Sequence, residues 1–360
     1  MKITHICNPE NRRARFFREA CLRLGLPEPD EVAWVDLLGE RGLPRLDTDA
    51  IRIESPGENF DVERSLIAKG GGPEFLREDV GRIRHQRPWF DGWKSVLGEL
   101  ETRYSDSRFM NDPAEIVEMF DKPAAQRKLA SAGVPVPDFV VAVESFDQLI
   151  HKMNRQGVRR VFLKPAHGSS ASGVVAFQTD GKDRFLATTS ATLDDRGGMD
   201  SIAIYNNLRM QRYVERDSIQ RLVDGLAQER LFAERWFPKA SLDGRTFDLR
   251  VVVIAGVVAQ IVVRTSQSPI TNLHLGNARG NVDQVKARMG AGNWARAMHV
   301  CEDAAKCFQG CHYVAVDLMI GTTFHKFAVA EVNAFGDLIP GVLFEGDDTY
   351  TAELRSFLNQ

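Results

Sequence analysis

Two apolar runs near the end of the chain carry the groups best suited to chemistry: Val314-Ala315-Val316-Asp317-Leu318-Met319 and Val329-Ala330-Glu331-Val332-Asn333. Glu331 and Asn333 are two residues apart, so on a strand their side chains point the same way. If the two runs are adjacent antiparallel strands, Asp317 shares that face. Three oxygen-bearing side chains within an apolar sheet must be satisfied by something. Hard oxygen donors suit magnesium, above all magnesium shared with nucleotide phosphates. The plainer reading is three polar side chains on the solvent face of a half-exposed sheet.

Other residues point to anions. Phe162-Leu163-Lys164-Pro165 leads into Gly168-Ser169-Ser170-Ala171-Ser172-Gly173. A lysine ending a buried strand asks for an anion, and a Gly/Ser loop offers backbone N–H groups to phosphate oxygens. No Gly-Lys-Ser/Thr follows, so this is not a Walker loop. A tight turn explains the loop about as well. Arg250, in Asp248-Leu249-Arg250, and Arg264, in Val263-Arg264-Thr265, fall at strand positions. The planar guanidinium suits phosphate and carboxylate. Ion pairing with Asp248 or Glu331 is the alternative. His274 lies in the polar loop Thr271-Asn272-Leu273-His274 without a Ser or Cys nucleophile signature, and reads as structural or supporting.

The elements that must position these groups follow from pattern. Lys2 to Cys7 reads as a strand, Arg12 to Gly25 as a helix, and Val32 to Leu37 and Ala50 to Ile53 as strands, which suggests a parallel sheet. Residues 55–107 read as loop-rich with short helical pieces. Asp112-Pro113 starts a helix over Ala114 to Met119. Lys122 to Ala132 is a second helix, Phe139 to Val143 a strand, residues 146–156 a helix, and Val161 to Lys164 and Val174 to Phe177 strands. Residues 180–232 are polar and become helical toward Ile219 to Leu231. Asp248 to Ile254 and Val257 to Arg264 form a hairpin turned at Ala255-Gly256. Asn293 to Gln309 is a helix, and Tyr313 to Ile320 with Phe327 to Asn333 is a second hairpin around Gly321.

The chain has 360 residues, 43% hydrophobic and 26% charged, the mix of a globular enzyme of two or three domains. With 46 Lys plus Arg against 49 Asp plus Glu, the net charge is −3. That balance argues against nucleic acid as the main partner. No run approaches ~20 apolar residues, so no membrane span is expected, and no secretion signal is recognisable. The five cysteines, Cys7, Cys21, Cys301, Cys307 and Cys311, are too sparse and odd in number for a disulfide framework, which fits a reducing cytoplasm. Cys301, Cys307 and Cys311 with His312 match no usual zinc spacing and read as a buried face.

Taken in order, Asp121-Lys122, Lys164-Pro165 with its Gly/Ser loop, Glu234-Arg235-Trp236-Phe237, Asp248-Leu249-Arg250, Arg264, Asn272-Leu273-His274, Asp317 and Glu331-Val332-Asn333 resemble the ATP-grasp superfamily. The likeness is closest to its RimK-like amino-acid ligases and covers about residues 108–342. Thr271-Asn272-Leu273-His274 is similar to their Ser-Asn-Leu-His loop. The resemblance implies an α/β (α+β) ATP-grasp fold. Residues 1–107 would form an N-terminal parallel-sheet α/β domain. Residues 108–235 would be a central subdomain with a lid loop and a helical insert, and 236–360 a C-terminal subdomain with the metal site.

The same resemblance implies site roles. Lys122 and Lys164 would contact ATP phosphates under a lid from Gly168 through Ser169 and Ser170 to Gly173. Glu234, Trp236 and Phe237 would belong to the adenine hinge. Asp317, Glu331 and Asn333 would bind one or two magnesium ions. Arg250 and Arg264 would steady the transferred phosphate, with Asn272 nearby. The implied reaction joins a small-molecule or peptide carboxylate to an amine through an acyl-phosphate, releasing ADP and phosphate. A small-molecule kinase or a regulatory ATP-binding module are the alternatives. Homo-oligomers occur among such proteins. Two features depart from the pattern: Asn333-Ala334-Phe335-Gly336-Asp337 stands where many relatives have Ser-Pro-Gly, and residues 180–232 are longer and more polar. Arg209, Arg212 and Arg216 there would read an anionic substrate, or simply line a solvated helix face.

Overall fold

The computed structural model describes residues 1–360 except 40–41, 195–202, 272–276 and 338, and every remaining side chain but that of residue 208. The first sheet is built from β1 (Ile3–Cys7), β2 (Asp30–Ala33), β3 (Ala50–Ile53) and β4 (Arg108–Phe109), in the order β2-β1-β3-β4 and parallel throughout. Between them lie α1 (Arg12–Arg23), α2 (Trp34–Leu37), α3 (Phe60–Lys69) and α4 (Gln86–Arg103). The strand expected over Val32 to Leu37 is shorter. Its pairing with β1 ends at Cys7 opposite Ala33, and the chain turns into α2. Residues 55–107 hold two full helices rather than short pieces. α3 and α4 approach so closely that a Cβ at Gly92 would lie 2.0 Å from the Leu66 carbonyl oxygen.

The second sheet follows two capped helices. Asp112 accepts from Glu115 N ahead of α5 (Pro113–Phe120), and Asp121 accepts from Ala124 N ahead of α6 (Lys122–Ser131). Then come β5 (Phe139–Val143), α7 (Phe146–Arg155), β6 (Arg160–Pro165), β7 (Val175–Thr179), β8 (Phe185–Asp194), β9 (Ala203–Tyr213), α8 (Arg216–Ala227) and β10 (Leu231–Arg235). The strands are antiparallel, in the order β5-β10-β6-β7-β8-β9. Phe146, Leu149 and Met153 of α7 and Ile219, Leu222, Val223 and Leu226 of α8 share a core with Val161, Leu163 and Ala233. Among the described residues, the expected helical insert is mainly the β8–β9 pair, with only α8 helical. Arg209 and Arg212 therefore lie on β9, and Arg216 opens α8.

The third sheet uses β11 (Ser241–Leu242), β12 (Arg245–Ile254), β13 (Val257–Ser266), β14 (Ala278–Gly280), β15 (Tyr313–Ile320) and β16 (Phe327–Asn333). Its order is β14-β13-β12-β15-β16, with β11 paired to β12. The β12–β13 turn has φ of 48° at Ala255 and 79° at Gly256, the twist that a two-residue hairpin needs. α9 (Val282–Met289) and α10 (Ala291–Lys306) precede β15, and α11 (Thr349–Leu358) ends the chain. α11 returns to the first sheet: Glu353 Oε2 is 2.9 Å from Arg52 Nη1, both fully buried. The cysteines are free, and among the described residues Cys301, Cys307, Cys311 and His312 form no ligand cluster. No described helix is long and apolar enough to cross a membrane.

Candidate functional site

The period of two along β6 and β10 separates core from site. Val161, Leu163 and Ala233 enter the core with α7 and α8, while Phe162, Lys164, Phe232 and Glu234 take the other face. Lys164 Nζ lies 2.5 Å from Glu234 Oε1, and Gln126 of α6 donates to Glu234 Oε2 at 2.7 Å. Glu234 is 2% exposed, so it needs both partners. Beyond it, Trp236 packs at 4.7 Å between ring centroids from Phe162. Phe162, Ala176 and Ile270 make a small apolar cluster, joined by Ala171, Val174, Met210 and Trp236. Ile270 follows β13, so this cluster joins the second sheet to the third. Phe237 lies against Gly321 in the β15–β16 turn.

The facing side of the third sheet carries the charges. Its core-facing residues include Phe247, Leu249, Val263, Val316 and Val332. The alternate positions hold Asp248, Arg250, Arg264, Asp317 and Glu331. Asp317 is the register partner of both Arg250 and Glu331. Arg250 Nε is 2.7 Å from Asp317 Oδ1, and Arg264 Nη2 is 3.0 Å from Asp317 Oδ2. Arg264 Nε also donates to Asp248 Oδ1 at 2.8 Å, and Arg250 Nε lies 3.6 Å from Asp337 Oδ2. The ion pairing considered for these arginines thus exists between Arg264 and Asp248, while Arg250 pairs with Asp317 and Asp337 instead, and Glu331 pairs with Lys122. Lys122 Nζ, at the start of α6, is 3.4 Å from Glu331 Oε1.

These charges set each other's protonation. Burial is the largest influence on Asp317 and lifts its carboxyl, against Arg250 and Arg264. Burial also opposes the charge on Glu331, but Lys122, Lys164 and Arg250 outweigh it and hold that carboxyl low. Asp248 is held low in the same way, with Arg264 and Lys239 overcoming burial. Lys239 Nζ sits 3.4 Å from Asp248 Oδ2 and donates to Thr271 Oγ1 at 2.8 Å. Thr271 in turn donates to Asp248 Oδ2. Burial pulls the pKa of Lys239 down despite Asp248. Lys239 and Gln126 escape a reading of the sequence. The only signal for Lys239 is a cation in the short segment between the Glu234–Phe237 run and β12.

The Gly/Ser loop is anchored at its root. Lys122 Nζ donates to the Gly168 carbonyl, and Ser172 N donates to the Ser169 carbonyl at 2.8 Å. Ser170, Ala171 and Gly173 have φ of 51°, 60° and 71°. Ser169 and Ser170 are exposed. Asn333 spends its amide on the Ala315 carbonyl at 3.2 Å. Asn272 and His274 lie outside the described residues.

Lys122, Lys164, Arg250, Arg264, Asp317 and Glu331 therefore belong to one polar region between two sheets. The donor set of Asp317, Glu331 and Asn333 is all oxygen, which fits magnesium. Asp317 Oδ1 is buried and has no directed hydrogen bond, because the nearby Arg250 Nε is not aligned with it. That oxygen already faces the Arg250 cation, so a magnesium ion bound there would share it with the guanidinium.

The chain matches no protein-family model. No match was found among curated proteins either. Solved structures do resemble it along its whole length. The ATP-grasp ligase PsnB, with a phosphomimetic variant of its minimal precursor, Mg and ADP, is 15% identical with a TM-score of 0.52, covering 100% of this chain and 98% of that one. The D-cycloserine synthetase DcsG is 14% identical with a TM-score of 0.56, covering 99% of each chain. The ADP complex of PurK, an N5-carboxyaminoimidazole ribonucleotide synthetase, is 12% identical with a TM-score of 0.61, covering 99% of this chain and 77% of that one. The chain has the ATP-grasp fold.

Proposed function

We propose that this protein is an ATP-dependent carboxylate–amine ligase that forms an amide through an acyl-phosphate and releases ADP and phosphate. The observation that carries the reading is the convergence of Lys122, Lys164, Arg250 and Arg264 on the Asp317–Glu331 pair between two sheets. PsnB, DcsG and PurK, which share the fold, are named as a ligase and synthetases.

In this reading the apolar patch of Phe162, Trp236 and Ile270 receives the flat adenine ring, with the Glu234–Phe237 backbone at its edge. Lys122 and Lys164 neutralise phosphate oxygens, and the Gly168–Gly173 loop offers N–H groups from above. Asp317, Glu331 and Asn333 hold magnesium, which supplies positive charge to phosphate oxygens when bound. Arg250 and Arg264 orient the acyl carboxylate and offset the negative charge that grows during phosphoryl transfer. Lys239 adds a third cation on that side. No side-chain nucleophile is required. The soluble, cytoplasmic setting and the domain limits given above belong to the same proposal.

The test is ADP release with ATP and magnesium against amino acids, dipeptides and acidic peptides, with mass analysis. A product lighter by one water than the summed reactants is expected. A phosphorylated, uncondensed product would replace the ligase with a kinase.

A further inference from the structure

His167 lies three residues beyond Lys164 and immediately before Gly168. It is 5% exposed. Its ring lies flat on Phe90 of α4, with centroids 3.8 Å apart and planes 10° apart. Nδ1 is 3.2 Å from the carbonyl oxygen of Phe120, the last residue of α5. A carbonyl only accepts, so Nδ1 carries the proton and Nε2 is an acceptor. Arg230 Nη1, 3.1 Å away, donates to that nitrogen. Burial lowers the ring's pKa to about 4, so this neutral form persists at neutral pH.

The contacts lead onward to the site. The same Arg230 nitrogen is 2.6 Å from Asp121 Oδ2, and Asp121 Oδ1 caps α6 through Ala124 N at 3.0 Å. α6 opens at Lys122, whose backbone N donates to Ala166 O at 3.1 Å and whose ammonium reaches the Gly168 carbonyl and Glu331. Arg230 is itself fixed: its φ is 58°, and its carbonyl accepts from Ala166 N at 3.0 Å. The neighbouring Glu229 carboxylate accepts from His85 N and Gln86 N at 2.9 and 2.7 Å, binding the start of α4 to the same point.

We infer that His167 is a positioning residue that locks the root of the Gly168–Gly173 loop and the Lys122 end of α6 into one arrangement against α4. Both ring nitrogens are occupied, so the residue has no free group for proton transfer to substrate. Only a neutral imidazole combines the donor toward Phe120, the acceptor for Arg230 and the flat face for Phe90. Asparagine keeps the donor alone, and glutamine the acceptor alone. The consequence for nucleotide binding rests on the ATP reading above.

The test compares the full-length chain with His167→Ala, Arg230→Gln and their double variant. Amide hydrogen exchange without ligand is followed in segments 121–124 and 166–173, and calorimetry follows binding of Mg·AMPPNP. Each single variant is expected to raise exchange in both segments about tenfold. Each should weaken Mg·AMPPNP about tenfold, the scale of one lost hydrogen bond to a charged group. The double variant should lose no more than either single one, because both break one chain of contacts. Exchange in β12 and β15 should not change. His167→Asn should recover part of the loss, and it carries the comparison if the alanine variant fails to fold. Unchanged exchange at 121–124, or fully additive losses, would overturn the inference. If the unaltered chain binds no nucleotide, the ATP reading fails, and exchange alone decides the role of His167.

Discussion

Asp317 of β15 stands directly opposite Glu331 of β16, yet the two carboxylates take their cations from different directions. Arg250 and Arg264, on strands of the same sheet, flank Asp317, while Lys122 reaches Glu331 from the start of α6. The pair should therefore respond differently to neutralisation. Glu331→Gln releases a partly exposed lysine and leaves the fold intact, with magnesium-dependent turnover abolished. Asp317→Asn also leaves the buried Arg264 and the partly buried Arg250 short of a carboxylate and should cost about 3 kcal/mol. Thermal unfolding and a magnesium titration of turnover check both. Normal turnover in Glu331→Gln would remove it from the proposed metal site.

In the proposed reading Lys164 serves both nucleotide binding and stability, because Glu234 is left with Gln126 alone when the ammonium is gone. Lys164→Ala should weaken ATP binding and lower the melting temperature together. Adding Glu234→Gln should restore the melting temperature and not the affinity. Restoration of both would mean that Lys164 serves only the buried pair.

Arg264 touches Asp248 and Asp317 at once, and it is 6% exposed. Arg264→Ala should destabilise the chain by about 3 kcal/mol, since two buried carboxylates lose a partner. In the role proposed for it, turnover should fall more than ATP affinity, because the charge it would offset grows in the transition state. A loss confined to ATP affinity would contradict that role.

Glu353 gives a pH dependence away from the site. Burial pushes its carboxyl up to about 7, with Arg52 pulling the other way. An unfolded chain holds that proton only below about 4.3. Between these limits the native state binds a proton that the unfolded state lacks, so this contribution to stability is complete in acid and is lost as pH rises through 7. Glu353→Gln should remove the decline, most visibly as a smaller drop in melting temperature between pH 5 and 8. Parallel profiles for the two proteins would exclude this titration.

Much of the framework is legible in the amino-acid sequence, because its causes are local. The strands Phe139–Val143, Tyr313–Ile320 and Phe327–Asn333 agree with their apolar patterns residue for residue. Asp112 and Asp121 accept the N–H bonds that begin α5 and α6. The face shared by Asp317 and Glu331 follows from a period of two and one hairpin. The polar strands β8 and β9 escape this logic. They carry Thr, Ser, Asn and Arg at many positions and take their regularity from pairing with one another. Arg264 with Asp248 is among the pairings the sequence suggests, but the contacts between distant segments are invisible in it. Lys122 with Glu331, Arg52 with Glu353 and Phe90 with His167 are far apart in the chain, and no local propensity reports their approach. Such contacts are made by strand register and by the packing of whole segments, and a buried charge finds its partner only when both have been set.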